Sequence, residues 1–306
     1  MKRDTSLPIQ AVIETALAHG AVPDRQVILQ NASTLVLRLS ESLVARVVTD
    51  LDGPRQGSEW FEREIAVARF LAENGAPVIP LHPQIHPGPY EYLGYQMNFW
   101  KFVQSIVGEP IPSDIGEKLF QCHEILKNYP GDLPELSILK ESFLLMDRLS
   151  EQSLVPESGV ELLRERLSSS MSALEGLPFQ GVHGDAHAGN LMLTDQGLLW
   201  ADWEDAFYGP VEWDLASIVW NAHILENDEQ TSSAILQAYV QAGGRIDPEA
   251  LRQCCIARAA VICAWYPILY PNAIGERKAK FDARMQWLAS DQPERLLFQI
   301  SSKSCP

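Results

Sequence analysis

Residues 181–216, which read GVHGDAHAGNLMLTDQGLLWADWEDAFYGPVEWDLA, form the stretch that decides the fold. Within it, two short apolar segments, 191–194 (LMLT) and 198–201 (LLWA), are separated by the sequence DQG at 195–197. Aspartate close to glycine is typical of a tight turn. The pattern therefore predicts a β-hairpin, with most of the polar side chains of the stretch gathered just before and just after it.

Three oxygen-bearing side chains lie at the ends of this predicted hairpin. Asp185 and Asn190 precede its first strand, and Asp202 follows its second strand. Because a hairpin brings its two ends together, we expect the three side chains to converge. Two carboxylates and an amide oxygen suit Mg²⁺ that is also held by the phosphates of a nucleotide. The step from Asp185 to Asn190 also matches the Asp-to-Asn step of a kinase catalytic loop.

Upstream of this stretch, the predicted elements are mostly strands. Residues 35–39 (LVLRL) and 43–48 (LVARVV) are rich in β-branched and apolar side chains and predict another hairpin. Residues 58–74 repeat apolar side chains with helical spacing and predict a helix. Residues 92–103 (YLGYQMNFWKFV) predict one further strand.

Later in the chain most segments predict helices instead, including a long apolar one that is capped by Asp247. The change from strands to helices predicts an α+β protein with two lobes. An N-terminal lobe, made of a sheet and one long helix, is expected over residues 1–98. A hinge is expected over 99–104, and a mainly helical C-terminal lobe over 105–306.

One charged residue stands out in the upstream hairpin. Arg46 lies between Val44 and Val48 on one face of the predicted strand, which argues against an ordinary solvated position. Kinases carry the lysine that contacts the nucleotide phosphates on the corresponding strand. The helix that follows offers Glu62 and Glu64 as partners for the guanidinium group.

Residues 183–190 read HGDAHAGN, which matches the signature HGDxHxGN in full. On this signature and on the strand that carries Arg46, the sequence resembles the aminoglycoside phosphotransferase-like family, which includes choline and fructosamine kinases, over nearly the whole chain. The resemblance implies a protein-kinase-like fold with a small antiparallel β-sheet lobe and a larger, mainly helical lobe. It also implies Mg²⁺-dependent transfer of the γ-phosphoryl group of ATP to a hydroxyl of a small molecule that is aminoglycoside-, choline- or sugar-like.

The same resemblance assigns the central roles residue by residue. Asp185 would accept or orient the proton of the attacking hydroxyl group and is the predicted catalytic residue. Asn190 and Asp202 would hold Mg²⁺. Arg46 would contact the α- and β-phosphates of ATP and would pair with Glu64 rather than with the other glutamate of that helix.

Further residues would support the nucleotide and the loop. Val44, on the strand face of Arg46, would touch adenine, and the backbone around Asn98, Phe99 and Trp100 would read the adenine edge. Asp214 would brace the catalytic loop rather than react.

The remaining polar residues of the stretch have less specific roles. His183 and His187 are each expected to support the tight loop structurally. Glu204, Asp205 and Glu212 follow the metal site closely enough to line a substrate pocket, where they would favour a cationic substrate.

Two other classes of function remain open at this point. His183, Asp185 and His187 could hold zinc in a hydrolase, although that interpretation gives no role to Asn190 or Asp202. Alternatively, the chain could be a nucleotide-binding pseudokinase without catalysis. The turn at 30–34 (QNAST) lacks the glycines of protein kinases, and an arginine replaces the usual lysine.

Composition limits the partners and the compartment. A formal net charge of −16 disfavours nucleic acid and anionic membranes as partners and suits a small hydroxylated, possibly cationic substrate. The 5 cysteines show no disulfide or metal-finger spacing, and the N-terminal residues lack the apolar run of a signal peptide. We therefore expect a cytoplasmic protein that is a monomer or a dimer.

Overall fold

A computed structural model of the protein describes residues 5–32, 34–51, 57–226, 228–296 and 298. Ser33, in the turn that lacks the kinase glycines, lies outside these described residues. The chain divides into two compact units. Unit 1 comprises Met1–Gly108 and Met192–Glu204, and unit 2 comprises Glu109–Leu191 and Asp205–Pro306.

Unit 1 is built on an antiparallel sheet with the strand order β1-β2-β3-β5-β4. Its core consists of apolar residues of helix α1 packed on the inward side chains of the central strands, such as Leu37 and Phe99. Alternation of buried and partly buried residues along β2 is the pattern expected for a strand with one covered face. The elements are α1 (Ser6–Ala18), β1 (Val27–Asn31), β2 (Thr34–Arg38), β3 (Leu43–Val48), α2 (Glu59–Glu73), β4 (Tyr90–Tyr92) and β5 (Tyr95–Lys101).

The upstream hairpin and the helix after it form as predicted, but the strand predicted at 92–103 is two strands. Leu93 and Gly94 have φ angles of 52° and 79° and join β4 to β5 in a tight turn. A two-residue hairpin turn with positive φ at both positions matches the twist of the strands that it joins. Because the residues on both sides of this turn are mostly apolar or aromatic, the boundary between the two strands was not evident from the sequence.

The downstream hairpin, β7 (Leu191–Thr194) with β8 (Gly197–Trp200), also forms as predicted. Its second strand belongs to unit 1 and not to the helical region. The backbone N–H of Trp200 donates to the carbonyl oxygen of Pro77 at 2.8 Å, and that of Ile79 donates to the carbonyl oxygen of Trp200 at 3.0 Å. These bonds explain why residues 192–204 join unit 1, whereas the sequence placed them in a lobe over 105–306.

Unit 2 is mainly helical and is organised around α8, a helix of 22 residues most of whose side chains are buried. Asp247 caps its N-terminus as predicted, because its carboxylate accepts the backbone N–H groups of Glu249 and Ala250. Helices α4, α5, α6 and α9 pack against α8. The α-helices are α3 (Pro112–Leu126), α4 (Ser137–Glu151), α5 (Glu157–Leu174), α6 (Glu212–Asn221), α7 (Glu229–Gln241), α8 (Pro248–Leu269), α9 (Glu276–Ala289) and α10 (Gln292–Arg295).

Unit 2 also contains a short antiparallel pair, β6 (Gln180–Val182) with β9 (Phe207–Gly209), which brackets the signature loop. A π-helical turn, Ala222–Glu226, continues α6. Among the helices of the described residues, none has both the length and the apolar character needed to cross a membrane.

Candidate active site

In unit 1, Arg46 projects from the central strand β3 and forms an ion pair with Glu64 of helix α2. The carboxylate of Glu64 is only 1% exposed, and it also accepts a hydrogen bond from the side-chain amide of Asn98 at 2.8 Å. The other glutamate, Glu62, is exposed and accepts a hydrogen bond from Ser58 instead. The structure therefore brings Arg46 to the glutamate that the sequence analysis preferred.

Two more carboxylates of unit 1 contact the same guanidinium group. Arg46 Nη2 lies 3.0 Å from Asp202 Oδ1 and 3.3 Å from Glu204 Oε2. Arg63 donates to the backbone oxygen of Glu204 at 2.9 Å and so fixes the segment after β8. Burial lowers the pKa of Arg46, but Asp202, Glu64 and Glu204 raise it by more, so the guanidinium stays charged. One guanidinium group thus contacts three carboxylates.

Asp202 has an unusual backbone. Its φ angle is 66°, in the left-handed region that residues other than glycine adopt rarely, with asparagine, aspartate and histidine the commonest among them. Backbone strain of this kind is retained where the surrounding structure fixes it, often at functional sites. Here the strained residue places its carboxylate on Arg46, directly after β8.

The predicted hinge residues need a correction. Asn98, Phe99 and Trp100 lie inside strand β5, and Phe99 is fully buried in the core. The backbone N–H of Phe99 donates to Pro87 at 2.8 Å, and the indole N–H of Trp100 donates to the side chain of Asn98 at 2.9 Å. The three residues therefore belong to a paired strand and not to a linker, and their role in reading the adenine edge stays a prediction. The side-chain amide of Asn98 donates a hydrogen bond to the carboxylate of Glu64.

In unit 2, Asp214 organises the signature loop. Its fully buried carboxylate accepts the backbone N–H of His183 at 2.6 Å and that of Gly184 at 2.9 Å. His123 Nε2 lies 2.9 Å from the same carboxylate, and Tyr239 contacts the other nitrogen of that histidine. The bracing role predicted for Asp214 therefore has a clear basis, since one buried anion fixes the two residues before Asp185.

Gly184 is the residue that allows the loop to turn. Its φ angle is 85°, and a Cβ atom at this position would lie 1.9 Å from the backbone oxygen of Asp205. No other residue type fits so close an approach. The carbonyl oxygen of Gly184 accepts the indole N–H of Trp213 at 2.7 Å, which holds the loop from the other side.

Asp185, the residue after this turn, faces a cation that the sequence analysis did not identify. Arg258, only 4% exposed on helix α8, forms an ion pair with the carboxylate and also donates to Gly184 at 3.4 Å. His187 Nε2 lies 3.2 Å from the other carboxylate oxygen. Burial raises the pKa of Asp185, but Arg258 and His187 together outweigh it and hold the pKa below its usual range. The carboxylate is ionised at neutral pH.

Asn190 lies against Asp185, as the loop spacing predicts. Its side-chain amide donates to the backbone oxygen of Asp185 at 3.0 Å, which orients the side chain. Because Asn190 and Asp185 belong to unit 2 and Asp202 belongs to unit 1, the predicted convergence of all three on one metal ion stays a prediction.

The two histidines of the loop use their Nδ1 atoms as acceptors within it. His183 is fully buried, and its Nδ1 accepts the backbone N–H of Asp185 at 3.3 Å. The Nδ1 of His187 accepts the backbone N–H of Gly189 at 2.9 Å. Among the described residues, no group of three or more His, Cys, Asp or Glu side chains is arranged to hold a metal ion. These bonds favour the structural roles predicted for both histidines over the zinc interpretation.

A cavity of about 630 Å³ opens beside Asp185, and all of its lining residues belong to unit 2. Asp185, His187 and Arg258 form one part of its wall, and the aromatic side chains of Trp265 and Tyr266 form another. A volume in this range is typical of a small-molecule site. From the sequence, packing in the core or between lobes is the expected role of these two aromatic residues.

The predicted substrate residues are not part of this lining. Glu204 pairs with Arg46 in unit 1. Glu212 is buried, and its carboxylate accepts the backbone N–H of Asp247 at 2.9 Å, at the start of α8. Asp205 packs its backbone against Gly184. None of the three lines this cavity, so the substrate role expected for them stays a prediction.

The chain is similar to a known protein family in sequence and to solved structures in fold. The sequence of residues 15–254 matches the phosphotransferase enzyme family (APH). The structure is similar to that of amicoumacin kinase hAmiN, in complex with AMP-PNP, Ca²⁺ and Ami, with a TM-score of 0.74 and 14% identity over 98% of this chain and 96% of that one. No curated protein matches the sequence.

Two further solved structures share the fold. A choline/ethanolamine kinase family protein from Mesorhizobium loti has a TM-score of 0.63 at 17% identity, over 94% of this chain and 97% of that one. Spectinomycin phosphotransferase APH(9)-Ia, in complex with ADP and spectinomycin, has a TM-score of 0.63 at 14% identity, over 93% and 98%. These likenesses confirm the predicted α+β, protein-kinase-like fold class.

Proposed function

Because the chain belongs to the phosphotransferase enzyme family, we propose that it transfers the γ-phosphoryl group of ATP, with Mg²⁺, to a hydroxyl group of a small molecule. The observation that carries this proposal is the placement of Asp185. It is ionised, it is held by buried partners, and it forms part of the wall of a cavity of small-molecule size.

Asp185 acts on the acceptor. A carboxylate at the wall of a substrate cavity can accept a hydrogen bond from the attacking hydroxyl group and orient it towards the phosphorus atom. Arg258 and His187 fix the carboxylate in one position, which reduces the reorganisation needed during the reaction. A base held ionised by a cation is a weak base, so we assign it mainly an orienting role.

Arg46 acts on the donor. Its planar guanidinium group offers several N–H donors in a fixed arrangement that suits phosphate oxygens. Glu64, supported by Asn98, holds the group in place from the buried side. Val44 lies two residues earlier on the same strand face and would contact adenine. Because Asn98 to Trp100 are engaged in β5, we assign recognition of the adenine edge to residues 102–104.

Asn190 and Asp202 would hold Mg²⁺. Their oxygen donors are of the type that this ion prefers, and Asp202 lies with Glu64 and Glu204 around the guanidinium group of Arg46. When bound, the ion would neutralise charge on the transferred phosphoryl group. The structure of amicoumacin kinase hAmiN, which contains AMP-PNP and Ca²⁺, supports a nucleotide together with a divalent cation in this fold.

The test is an ADP-release assay with Mg²⁺ and ATP against aminoglycosides, choline, ethanolamine, homoserine and ketosamines. Replacing the orienting carboxylate with an amide, Asp185→Asn, should lower turnover by on the order of 10³-fold and leave ATP binding largely intact. Asp195→Asn, the same substitution at the exposed hairpin turn, is the matched control and should keep wild-type turnover.

Wild-type turnover in Asp185→Asn would contradict the proposed mechanism. Binding of ATP without any phosphorylated product would instead favour a nucleotide-binding pseudokinase. Turnover that depends on stoichiometric zinc would favour the hydrolase.

A further inference from the structure

We infer that the acceptor substrate carries a carboxylate group and that Arg284 binds this group at the wall of the cavity. The inference rests on the proposed function, since it names the class of molecule that the phosphotransferase accepts. It differs from the expectation drawn from the sequence, which was a cationic substrate facing an acidic pocket.

Arg284 is a buried cation of helix α9 that lines the same cavity as Asp185. Its side chain is 8% exposed, and its guanidinium group lies over the ring of Trp220 at 4.7 Å. One of its terminal nitrogens, Nη2, donates to Asn221 at 3.2 Å. Its Nε has no hydrogen-bond partner in the described part of the chain.

Within the described residues, Arg284 forms no ion pair, although buried charges are normally paired. The titratable groups that face it are Cys263, Tyr266 and Arg258, and none of them is a carboxylate. Burial lowers the pKa of Arg284, and the neighbouring Arg258 lowers it further. The ligand-free protein therefore keeps a positive group in a position where an anion would stabilise it.

The carboxylates of the cavity wall do not supply that anion. Asp185 pairs with Arg258 on the neighbouring helix. Asp228 is exposed, and its carboxylate caps helix α7 by accepting the backbone N–H of Thr231 at 3.1 Å. With these two assigned, Arg284 has no carboxylate partner among the described residues of the cavity wall.

A carboxylate is the group that matches this arrangement. The planar guanidinium group and the planar carboxylate form parallel hydrogen bonds, and such a pair is strongest where water is excluded. Ile262, Trp265 and Tyr266 supply apolar surface in the same wall and would contact the carbon skeleton. A hydroxylated carboxylic acid could thus place its charged group on Arg284 and its hydroxyl group on Asp185.

The experiment compares hydroxy acids with their primary amides, which differ in charge but hardly in shape. The probes are L-homoserine, carnitine and 6-hydroxyhexanoate, each with its amide. Turnover is measured as Asp185-dependent ADP release, with Asp185→Asn as the blank. Binding is measured separately through the fluorescence of Trp220 and Trp265, which line the cavity, so that this readout does not require turnover.

At least one acid should exceed its amide by tenfold or more in kcat/KM and in affinity, with the difference mainly in KM. Arg284→Gln should remove this preference, and Arg284→Lys should restore part of it because the charge returns. Lys278→Gln removes a charge from the same helix at a side chain that is 61% exposed, and it should leave the preference unchanged.

The outcomes separate the two proposals. Acid-selective binding without product supports the carboxylate site and contradicts the phosphotransferase assignment. Asp185-dependent phosphorylation of choline or of the amides, with no preference for acids, overturns the carboxylate site and leaves the phosphotransferase standing. Failure of every acid to bind also overturns the carboxylate site, as does an acid preference that survives in Arg284→Gln. If Arg284→Gln does not fold, the comparison of acid and amide on the wild-type protein decides.

Discussion

Two arginines that are largely withdrawn from solvent, Arg46 of unit 1 and Arg284 of unit 2, have opposite surroundings. Arg46 of unit 1 contacts three carboxylates, and its pKa is raised above the usual value for arginine. Arg284 of unit 2 contacts an amide and an indole ring, and its pKa is lowered by burial and by a neighbouring arginine. Both side chains are largely withdrawn from solvent, so the difference lies in the charges that surround them.

The difference indicates what each region would bind. Around Arg46, three carboxylates of the described residues lie against one guanidinium group, an arrangement that suits the binding of a divalent cation. At Arg284 positive charge has no opposite partner in the described structure, which favours the binding of an anion. A buried imbalance of charge is costly in a ligand-free protein and is relieved when a ligand of opposite charge enters. The net charge of −16 gives no hint of this local reversal.

Among substitutions that test the surroundings of the two arginines, the largest effect is expected for Asp202→Asn. Asparagine tolerates the positive φ angle of this position, so the substitution removes the charge without adding backbone strain. Asp202 is proposed to hold Mg²⁺, so the substitution should weaken stabilisation of the transition state by several kcal/mol. It should therefore lower kcat by on the order of 10²- to 10³-fold. Titration of activity with Mg²⁺ should show a weaker apparent affinity.

Asp195→Asn is again the control, since it makes the same change at an exposed turn of the same hairpin. Unchanged kcat and unchanged Mg²⁺ dependence in Asp202→Asn would show that the excess of carboxylates around Arg46 serves only the arginine.

The next effect concerns stability. Glu64→Gln breaks the most deeply buried ion pair of unit 1 and should lower the free energy of unfolding by about 3 kcal/mol. Urea denaturation measures this loss, and the KM for ATP should rise because Arg46 loses its support. Glu62→Gln, two positions earlier on an exposed face of α2, should change stability by less than about 0.5 kcal/mol. Equal effects of the two substitutions would contradict the assigned pairing.

The parts of the fold and the site that the sequence predicted depend on local signals. The HGDAHAGN loop, the hairpin after it and the position of Asp214 all lie within 36 residues, as 216 − 181 + 1 shows, so spacing constrains their geometry. The hairpins and the helix follow from turn residues and from periodicity, which are readable without coordinates. The pairing of Arg46 with Glu64 followed from the resemblance to the family, because the order of strand and helix alone offers both Glu62 and Glu64.

Arg258 and Arg284 could not be predicted from spacing, because the fold brings them in from distant helices. Arg258 is separated by 73 residues from Asp185, which it contacts. A signal did exist, since Arg258 is the only charged residue in the apolar run CCIARAAVICAW at 254–265. Arg284 gave none, because helix α9 carries many charges and its sequence is that of a solvated helix. The hinge expected over 99–104 overlaps the strand predicted over 92–103, and strand β5 in fact runs to Lys101.

A third, smaller effect is expected on stability, and it compares Arg284 directly with Arg46. In the ligand-free protein, Arg284→Gln should change the free energy of unfolding by no more than about 1 kcal/mol. The substitution loses the contact with the Trp220 ring and one hydrogen bond, but it also removes an unpaired buried charge, and the two contributions oppose each other. Lys278→Gln gives the baseline for helix α9. A loss of about 3 kcal/mol, comparable to that of Glu64→Gln, would mean that Arg284 serves the fold.

The smallest effect extends the comparison to a buried carboxylate that forms no ion pair within the described part of the chain. Glu212 accepts the backbone N–H of Asp247, and burial raises its pKa despite this hydrogen bond. The native state then holds a proton that the unfolded state has lost, so stability falls as pH rises above the ordinary pKa of glutamate. Glu212→Gln keeps an acceptor for Asp247 and should flatten this fall. The measurement is the midpoint of urea unfolding from pH 4 to pH 8, and an unchanged slope would show that Glu212 is ionised in the native protein.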